Sequence, residues 1–394
     1  MAESSTRLRA DYTREYYVSD CGGYAEFGGT DALAIADVRL RATAAFSEIR
    51  SGRRALDIGC GRGEISAYLG ARGWQVDAVD YSADAIALAR EHLARVGVPP
   101  ERVRLFADDI DTFALEPGVY DLIVAADVIE HLGAAELDRL YPRLAQALAP
   151  NGLFVLHTFP NAWYYRYGWP RVRRAASARG ETLPENPRSA FERRMHISEQ
   201  SPKELARALR RSFAHSALWL GDPQDPFRAD LRTASREALR GSADIFAVAG
   251  HREVDDVAAS DAFMQAPIDG IRRHKIRIDA AGGLRTGPDG STTVGVTIRN
   301  LGKRALSSSG RYPVLVSYHV RNDDGSTAIY DGLRTPLGAP LRPGAAVRRD
   351  VRIDTAGLPP RGTLRIALVQ ERVGWFDDAS AVADVRFSSS EVRT

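Results

Sequence analysis

Cysteine is almost missing from this chain: only Cys21 and Cys60 occur in 394 residues. Two thiols cannot build a disulfide framework, so the expected compartment is a reducing one, the cytoplasm. No early apolar run has the make-up of a secretory leader, and no run of about 20 apolar residues is available to cross a bilayer. A dominant charge is absent too. The 53 basic and 51 acidic residues leave a net charge of +2, so the molecule as a whole is not a polyelectrolyte binder. No internal repeat or low-complexity tract stands out. What remains is ordinary globular composition, 44% hydrophobic and 26% charged, in a chain long enough for two domains.

The most informative segment runs Ala55-Leu56-Asp57-Ile58-Gly59-Cys60-Gly61-Arg62-Gly63-Glu64. An apolar run ending in glycines at alternate positions predicts a strand that turns tightly into a helix, where a ligand can approach the main chain closely. The dinucleotide fingerprint would need its last glycine where Glu64 stands. A structural glycine turn in another doubly wound protein is the plain alternative. The next strand, Gln75 to Val79, is closed by Asp80, followed by Tyr81. An acid about 20 residues past such a turn binds ribose hydroxyls in nucleotide-binding α/β folds, the alternative role being a helix N-cap.

Asp57 followed by Gly59, Gly61 and Gly63 resembles the first motif of class I S-adenosylmethionine-dependent methyltransferases. The resemblance implies S-adenosyl-L-methionine as cofactor, with Tyr81 beside the ribose acid Asp80. It also implies that Asp108, after the third strand, meets the adenine amino group, with the neighbouring Asp109 amide at the ring. Alternation of strands and helices from Arg53 to about Asn161, with later strands near 216–220 and 244–248, predicts an α/β, Rossmann-like, seven-stranded sheet. The expected domains are a helical cap over 1–50 and a methyltransferase domain over 51–250 with a lid insertion at 160–200. A linker over 251–274 follows. Short alternating runs separated by Gly, Pro, Asn and Asp clusters then predict a C-terminal antiparallel β-sandwich over 275–394.

Candidate chemistry lies after the fourth strand, in Asp127-Val128-Ile129-Glu130-His131. On a helical turn Asp127, Glu130 and His131 would share one face, a plausible set for a divalent ion such as Mg²⁺ or Mn²⁺, with Zn²⁺ and Fe²⁺ open. A similar acid-x-x-Glu-His motif occurs in metal-dependent small-RNA 2′-O-methyltransferases and in ubiquinone-pathway O-methyltransferases; here Asp127 stands where they usually carry Glu. The RNA enzymes bring a further His from a later segment, and His196 occupies a comparable place. The candidate metal ligands are therefore Asp127, Glu130, His131 and His196, with Asp127 also beside the cofactor. The candidate catalytic residues are His131, His196 and Glu130. A metal-free base at His131 or His196, or a structural role for the Glu-His pair, is the alternative.

The lid opens on Trp163-Tyr164-Tyr165-Arg166-Tyr167 and continues with Arg171, Arg173, Arg174, Arg179, Arg188, Arg193 and Arg194. Aromatic faces stack on sugar rings and guanidinium groups pair with anions, so an anionic or lipid-linked saccharide, or a membrane surface met by Trp163–Arg174, would fit; a solvated lid is the alternative. Tyr16 and Tyr17 in the N-terminal segment are candidates for the acceptor pocket. Residues 11 to about 220 resemble bacterial surface-polysaccharide methyltransferases, on Ser19-Asp20-Cys21-Gly22-Gly23-Tyr24, the Asp57 turn, Asp127–His131, His157–Asn161 and Met195–Gln200. That resemblance implies an O-methyltransferase acting on a sugar hydroxyl of a glycan or glycosylated metabolite. The other readings are an RNA 2′-O-methyltransferase, a metal-free small-molecule methyltransferase, and a non-catalytic binding protein.

Overall fold

The structure is a computed structural model that describes residues 11–29, 35–49, 53–222, 225–254, 265, 267–287, 290–308, 312–338 and 340–388. Parts of the predicted linker and of the predicted N-terminal cap lie outside them. The chain divides into two units, Met1–Asp256 and Val257–Thr394.

In the first unit, helices α1 (Arg14–Ser19), α2 (Tyr24–Phe27) and α3 (Val38–Ala44) precede the sheet. There follow β1 (Arg54–Ile58), α4 (Glu64–Ala71), β2 (Gln75–Asp80), α5 (Ala83–Arg95), β3 (Val103–Ala107) and β4 (Tyr120–Ala126). Next come α6 (Ala134–Ala147), β5 (Leu148–Thr158), α7 (Trp169–Ala178), α8 (Ala190–Met195) and α9 (Pro202–Ser212). β6 (His215–Asp222), β7 (Asp225–Asp230), α10 (Arg236–Gly241) and β8 (Asp244–Gly250) complete the unit. The helix starts are locally encoded. Ser82 caps α5, and Ser201 with Glu204 forms a capping box on α9.

The sheet order is β3-β2-β1-β4-β5-β8-β6-β7. The pairs from β3 to β5 are parallel, and β8 runs antiparallel to both β5 and β6. Chain order reverses between β1 and β4, and ligands bind at the carboxyl ends of strands beside such a switch. Eight strands form where seven were expected. The extra one, β7, is an edge strand whose partner among the described residues is β6. Its acids and proline make it read as a loop.

The second unit holds β9 (Ile276–Ala280), β10 (Arg285–Thr286), β11 (Thr292–Asn300), β12 (Val314–Arg321), β13 (Thr327–Ile329) and β14 (Thr335–Pro336). β15 (Ala346–Ile353), β16 (Arg361–Gln370), β17 (Gly374–Phe376) and β18 (Ala383–Ser388) follow. All its pairings are antiparallel. One sheet centres on β11, flanked by β15 on one side and by β9 and β10 on the other; a second centres on β12 and β16. Val294, Val296 and Ile298 of the first sheet share a hydrophobic cluster with Val316, Tyr318, Ile366 and Leu368 of the second.

Candidate functional site

The glycine turn between β1 and α4 is set by backbone conformation. Gly59, Gly61 and Gly63 all have positive φ, at 62°, 50° and 80°. A Cβ on Gly59 would stand 2.6 Å from Val128, and one on Gly63 would stand 2.9 Å from the Cβ of Ala89 on α5. Gly63 thus sets helix packing, while Gly59 brings the turn against the Asp127–His131 segment. The Gly61 N–H donates to Asp80 Oδ2 at 3.0 Å, and the Ser82 N–H donates to Oδ1 at 2.9 Å. Asp80 is no helix cap; Ser82 is. Burial pushes the Asp80 carboxyl up to about 6, partly offset by those two amides.

A cavity of 590 Å³ opens over the carboxyl ends of β1, β2 and β4, a volume in the range of small-molecule sites. Its lining includes Gly59, Cys60, Gly61, Asp80, Tyr81, Asp108, Asp109, Asp127, Glu130, His131 and His196. Asp57 and Gly63 stand outside it. Asp57 instead accepts a 2.5 Å hydrogen bond from Ser66 of α4, and burial pushes its carboxyl up to about 7. Through this bond the acid expected at the cofactor fastens strand to helix.

Tyr12, Tyr16, Tyr17 and Tyr81 form one wall, with edge contacts of 5.2 Å (Tyr12–Tyr16), 5.1 Å (Tyr12–Tyr81) and 5.0 Å (Tyr16–Tyr17) between ring centroids. Eight carboxyl side chains line the cavity against two arginines, Arg39 and Arg62. An acidic, tyrosine-walled cavity suits a cationic group such as a sulfonium.

Both arginines fasten the N-terminal segment. Arg62, almost fully buried, pairs with Glu64 at 3.1 Å and donates to the carbonyls of Tyr17 and Gly22, each at 2.9 Å. Arg39 of α3 pairs with Asp127 and with Asp37, each at 2.9 Å.

Asp127 departs from the expected geometry. The segment after β4 is a 3₁₀ turn over Ile129–His131, and Asp127 precedes it in the left-handed region at φ 56°. Its carboxylate faces Arg39 and, at 2.5 Å, His157 Nδ1, while His157 Nε2 meets Asp244 Oδ1 at 2.9 Å. Burial disfavours charge on both members of this pair. The carboxylates of Asp127 and Asp244 nevertheless hold His157 up to about 10, and Arg39 and His157 hold Asp127 well below the usual carboxylate range. Asp127 therefore does not join the other candidate ligands. Sequence reasoning gave His157, Asp244, Arg39 and Arg62 no role. The one available signal was the place of His157 near the carboxyl end of a sheet strand.

This pairing has a pH signature. His157 binds its proton more tightly folded than unfolded, so its stabilisation is complete below its ordinary value of 6.5 and is lost as pH rises toward 10. The melting temperature is expected to fall by several degrees between pH 7 and pH 10, and a His157→Gln variant to show little of that slope. Equal slopes in a calorimetric comparison would contradict the pairing.

Glu130, His131 and His196 do converge: each offers one ligand atom, and the three atoms lie within 4.8 Å of one another. The Ile197 and Ser198 amides donate to the Glu130 carbonyl at 2.9 and 3.0 Å, which brings the His196 segment onto the turn. Thr158 Oγ1 donates to Glu130 Oε2 at 2.8 Å. Burial and then the charge of Asp127 push Glu130 up to about 7. His131 Nδ1 lies 3.1 Å from the Met195 carbonyl, which can only accept, so Nδ1 carries the proton and Nε2 keeps its lone pair. Burial and the neighbouring His196 bring His131 down to about 4, so it is neutral at pH 7. His196 Nδ1 is buried without a hydrogen-bond partner, 3.8 Å from Glu199.

The lid contributes Ser189, Glu192 and His196 to the cavity but none of its arginines. Arg188 pairs with Glu199 and stacks on Tyr165 at 3.6 Å, Arg194 pairs with Asp11 at 2.6 Å, and Arg179 pairs with Glu181 at 2.9 Å.

Residues 56–154 match the model of a protein family described as "Methyltransferase domain". The ubiquinone biosynthesis O-methyltransferase of Burkholderia orbicola (strain MC0-3) is 38% identical over 82 residues, 21% of this chain and 34% of that protein. The ribosomal RNA small subunit methyltransferase C of Chromohalobacter salexigens is 38% identical over 109 residues, 27% of this chain and 31% of that protein. The chain thus matches about a third of the length of these curated relatives. Among solved structures, phosphoethanolamine N-methyltransferase 2 of Haemonchus contortus with S-adenosyl-L-methionine aligns with a TM-score of 0.40 at 18% identity, over 61% of this chain and 60% of that one. No helix of the described residues is long and apolar enough to cross a membrane.

Proposed function

We propose that this chain, whose residues 56–154 form a class I methyltransferase domain, moves the methyl group of S-adenosylmethionine to a hydroxyl oxygen of a saccharide or glycosylated metabolite. One observation carries the reading. A single cavity joins the glycine turn and Asp80 to Glu130, His131 and His196. The sulfonium methyl is already activated, so the protein supplies alignment and a nucleophile that loses its proton. The acceptor oxygen attacks the methyl carbon, the carbon–sulfur bond breaks, and neutral S-adenosylhomocysteine leaves. The hydroxyl proton passes to His131 Nε2, the nitrogen that carries a lone pair.

A divalent ion fits the same residues, because Glu130, His131 and His196 each offer a ligand atom within 4.8 Å of the others, and His196 Nδ1 is buried without a hydrogen-bond partner. Two nitrogens and one carboxylate, with Asp127 elsewhere, suit Mn²⁺, Fe²⁺ or Zn²⁺ better than Mg²⁺. Glu130, His131 and His196 would hold the ion, which when bound supplies a lowered pKa to a hydroxyl.

The test is a titration with S-adenosylmethionine, then S-adenosylhomocysteine release over a panel of glycans and an RNA control, before and after chelation. Turnover on a saccharide supports the reading, and turnover on RNA alone or binding without turnover overturns it. Full activity after chelation assigns the step to His131 without a metal; loss restored by Mn²⁺ or Zn²⁺ assigns the trio to an ion.

A further inference from the structure

The outer face of the sheet centred on β11 has no role in that chemistry, yet its charge is one-sided. Along β11, Val294, Val296 and Ile298 are buried in the core, so Thr293, Gly295, Thr297 and Arg299 occupy the outer side. The register places Arg277 opposite Arg299, Asp279 and Arg348 on either side of Thr297, Asp350 beside Gly295, and Arg285 and Arg352 on either side of Thr293. Five arginines therefore share this face with two aspartates, an excess of three positive charges on a chain whose total is +2.

Two features show that this face is not neutralised internally. Arg277 is paired with Asp279 at 3.0 Å, but its direct cross-strand neighbour Arg299 adds a second positive charge beside it. Arg299, Arg348 and Arg352 are exposed and take part in none of the ion pairs found among the described residues. The relief is a trough. By residue size and register, the small side chains of Thr293, Gly295 and Thr297 on β11 form a low floor between longer ones on β9, β10 and β15. Arg285 reaches onto that floor, its Nη2 being 2.6 Å from where a Cβ on Gly295 would stand. The walls are two strand spacings apart, about 10 Å, the width of one extended polymer.

We propose that this trough binds a linear anionic polysaccharide, its carboxylate or sulfate groups taken by the guanidinium forks of Arg299, Arg348 and Arg352. Among the described residues the face offers no aromatic ring on which a nucleic-acid base would stack and no apolar wedge for a bilayer. Binding here is independent of the methyl-transfer reading and is measured without cofactor.

The experiment immobilises the full chain and measures sodium polygalacturonate, neutral dextran, polyuridylate and phosphatidylserine vesicles at low and high salt. Polygalacturonate is expected to bind, to weaken steeply with salt, and to lose at least about tenfold in affinity in an Arg348→Glu/Arg352→Glu variant, with dextran inert. The Arg348→Lys/Arg352→Lys variant is expected to keep much of the affinity, and equal melting temperatures to show that the fold is unchanged. If the reversed variant does not fold, the Arg348→Gln/Arg352→Gln pair reads the same loss. Absence of polygalacturonate binding, binding indifferent to these arginines, or preferential capture of polyuridylate or vesicles overturns the proposal.

Discussion

An Asp80→Asn variant is expected to bind S-adenosylmethionine about a hundredfold or more weakly in a calorimetric titration. Two charge-assisted hydrogen bonds to ribose hydroxyls contribute roughly 1.5–3 kcal/mol each, and losing both corresponds to two or more decades. Asparagine keeps the volume of the side chain but loses its charge and half its acceptor capacity. The Gly61 and Ser82 amides already occupy one oxygen each. An independent readout is pH. Because burial pushes Asp80 up to about 6, the carboxylate protonates as pH falls through that value and loses its ability to accept both hydroxyls. Affinity in the native protein should drop toward pH 5, whereas the Asp80→Asn variant should be flat. A native profile that is itself flat would place the ribose elsewhere.

The second large effect is expected at the turn after β4. His131→Ala should lower methyl transfer by about 10²–10⁴-fold, the usual contribution of a positioned acid or base, with S-adenosylmethionine affinity nearly unchanged. Glu130→Gln should do likewise if the trio holds an ion. It keeps an acceptor for Thr158 while removing the anionic ligand, so the variant should fold and still bind cofactor. A comparable loss of cofactor binding in either variant would show that the turn shapes the cavity without taking part in the chemistry.

How much of this was legible in the sequence depended on the range of the interaction. Gly59, Gly61 and Gly63 announce a positive-φ turn because the residue type is itself the conformational signal. Ser82 and Ser201 announce helix starts for the same local reason. Asp127 was misplaced because a helical spacing was assumed where the backbone turns left-handed. What holds its carboxylate is Arg39, 88 positions earlier in the chain. The His157 pairing with Asp244 spans 87 positions and leaves no periodic trace. Charge in the lid was visible, but the pairing of Arg188 with Glu199 and of Arg194 with Asp11 was not, because those partners lie elsewhere in the chain. The trough on the outer sheet face was hidden for the opposite reason: its arginines lie on separate strands and form no run in the chain.

The excursion from Phe159 to His196 begins and ends on one residue. Thr158 meets the carboxylate of Glu130, and Ile197 and Ser198 meet its carbonyl. The ends of this loop are therefore fixed by the turn that carries the chemistry, whatever lies between them. Closing such a loop costs free energy that grows only logarithmically with its length, about 0.6 kcal/mol for a doubling. Chain length between these two anchor points can thus change at small entropic cost, while the ends stay where Glu130 holds them.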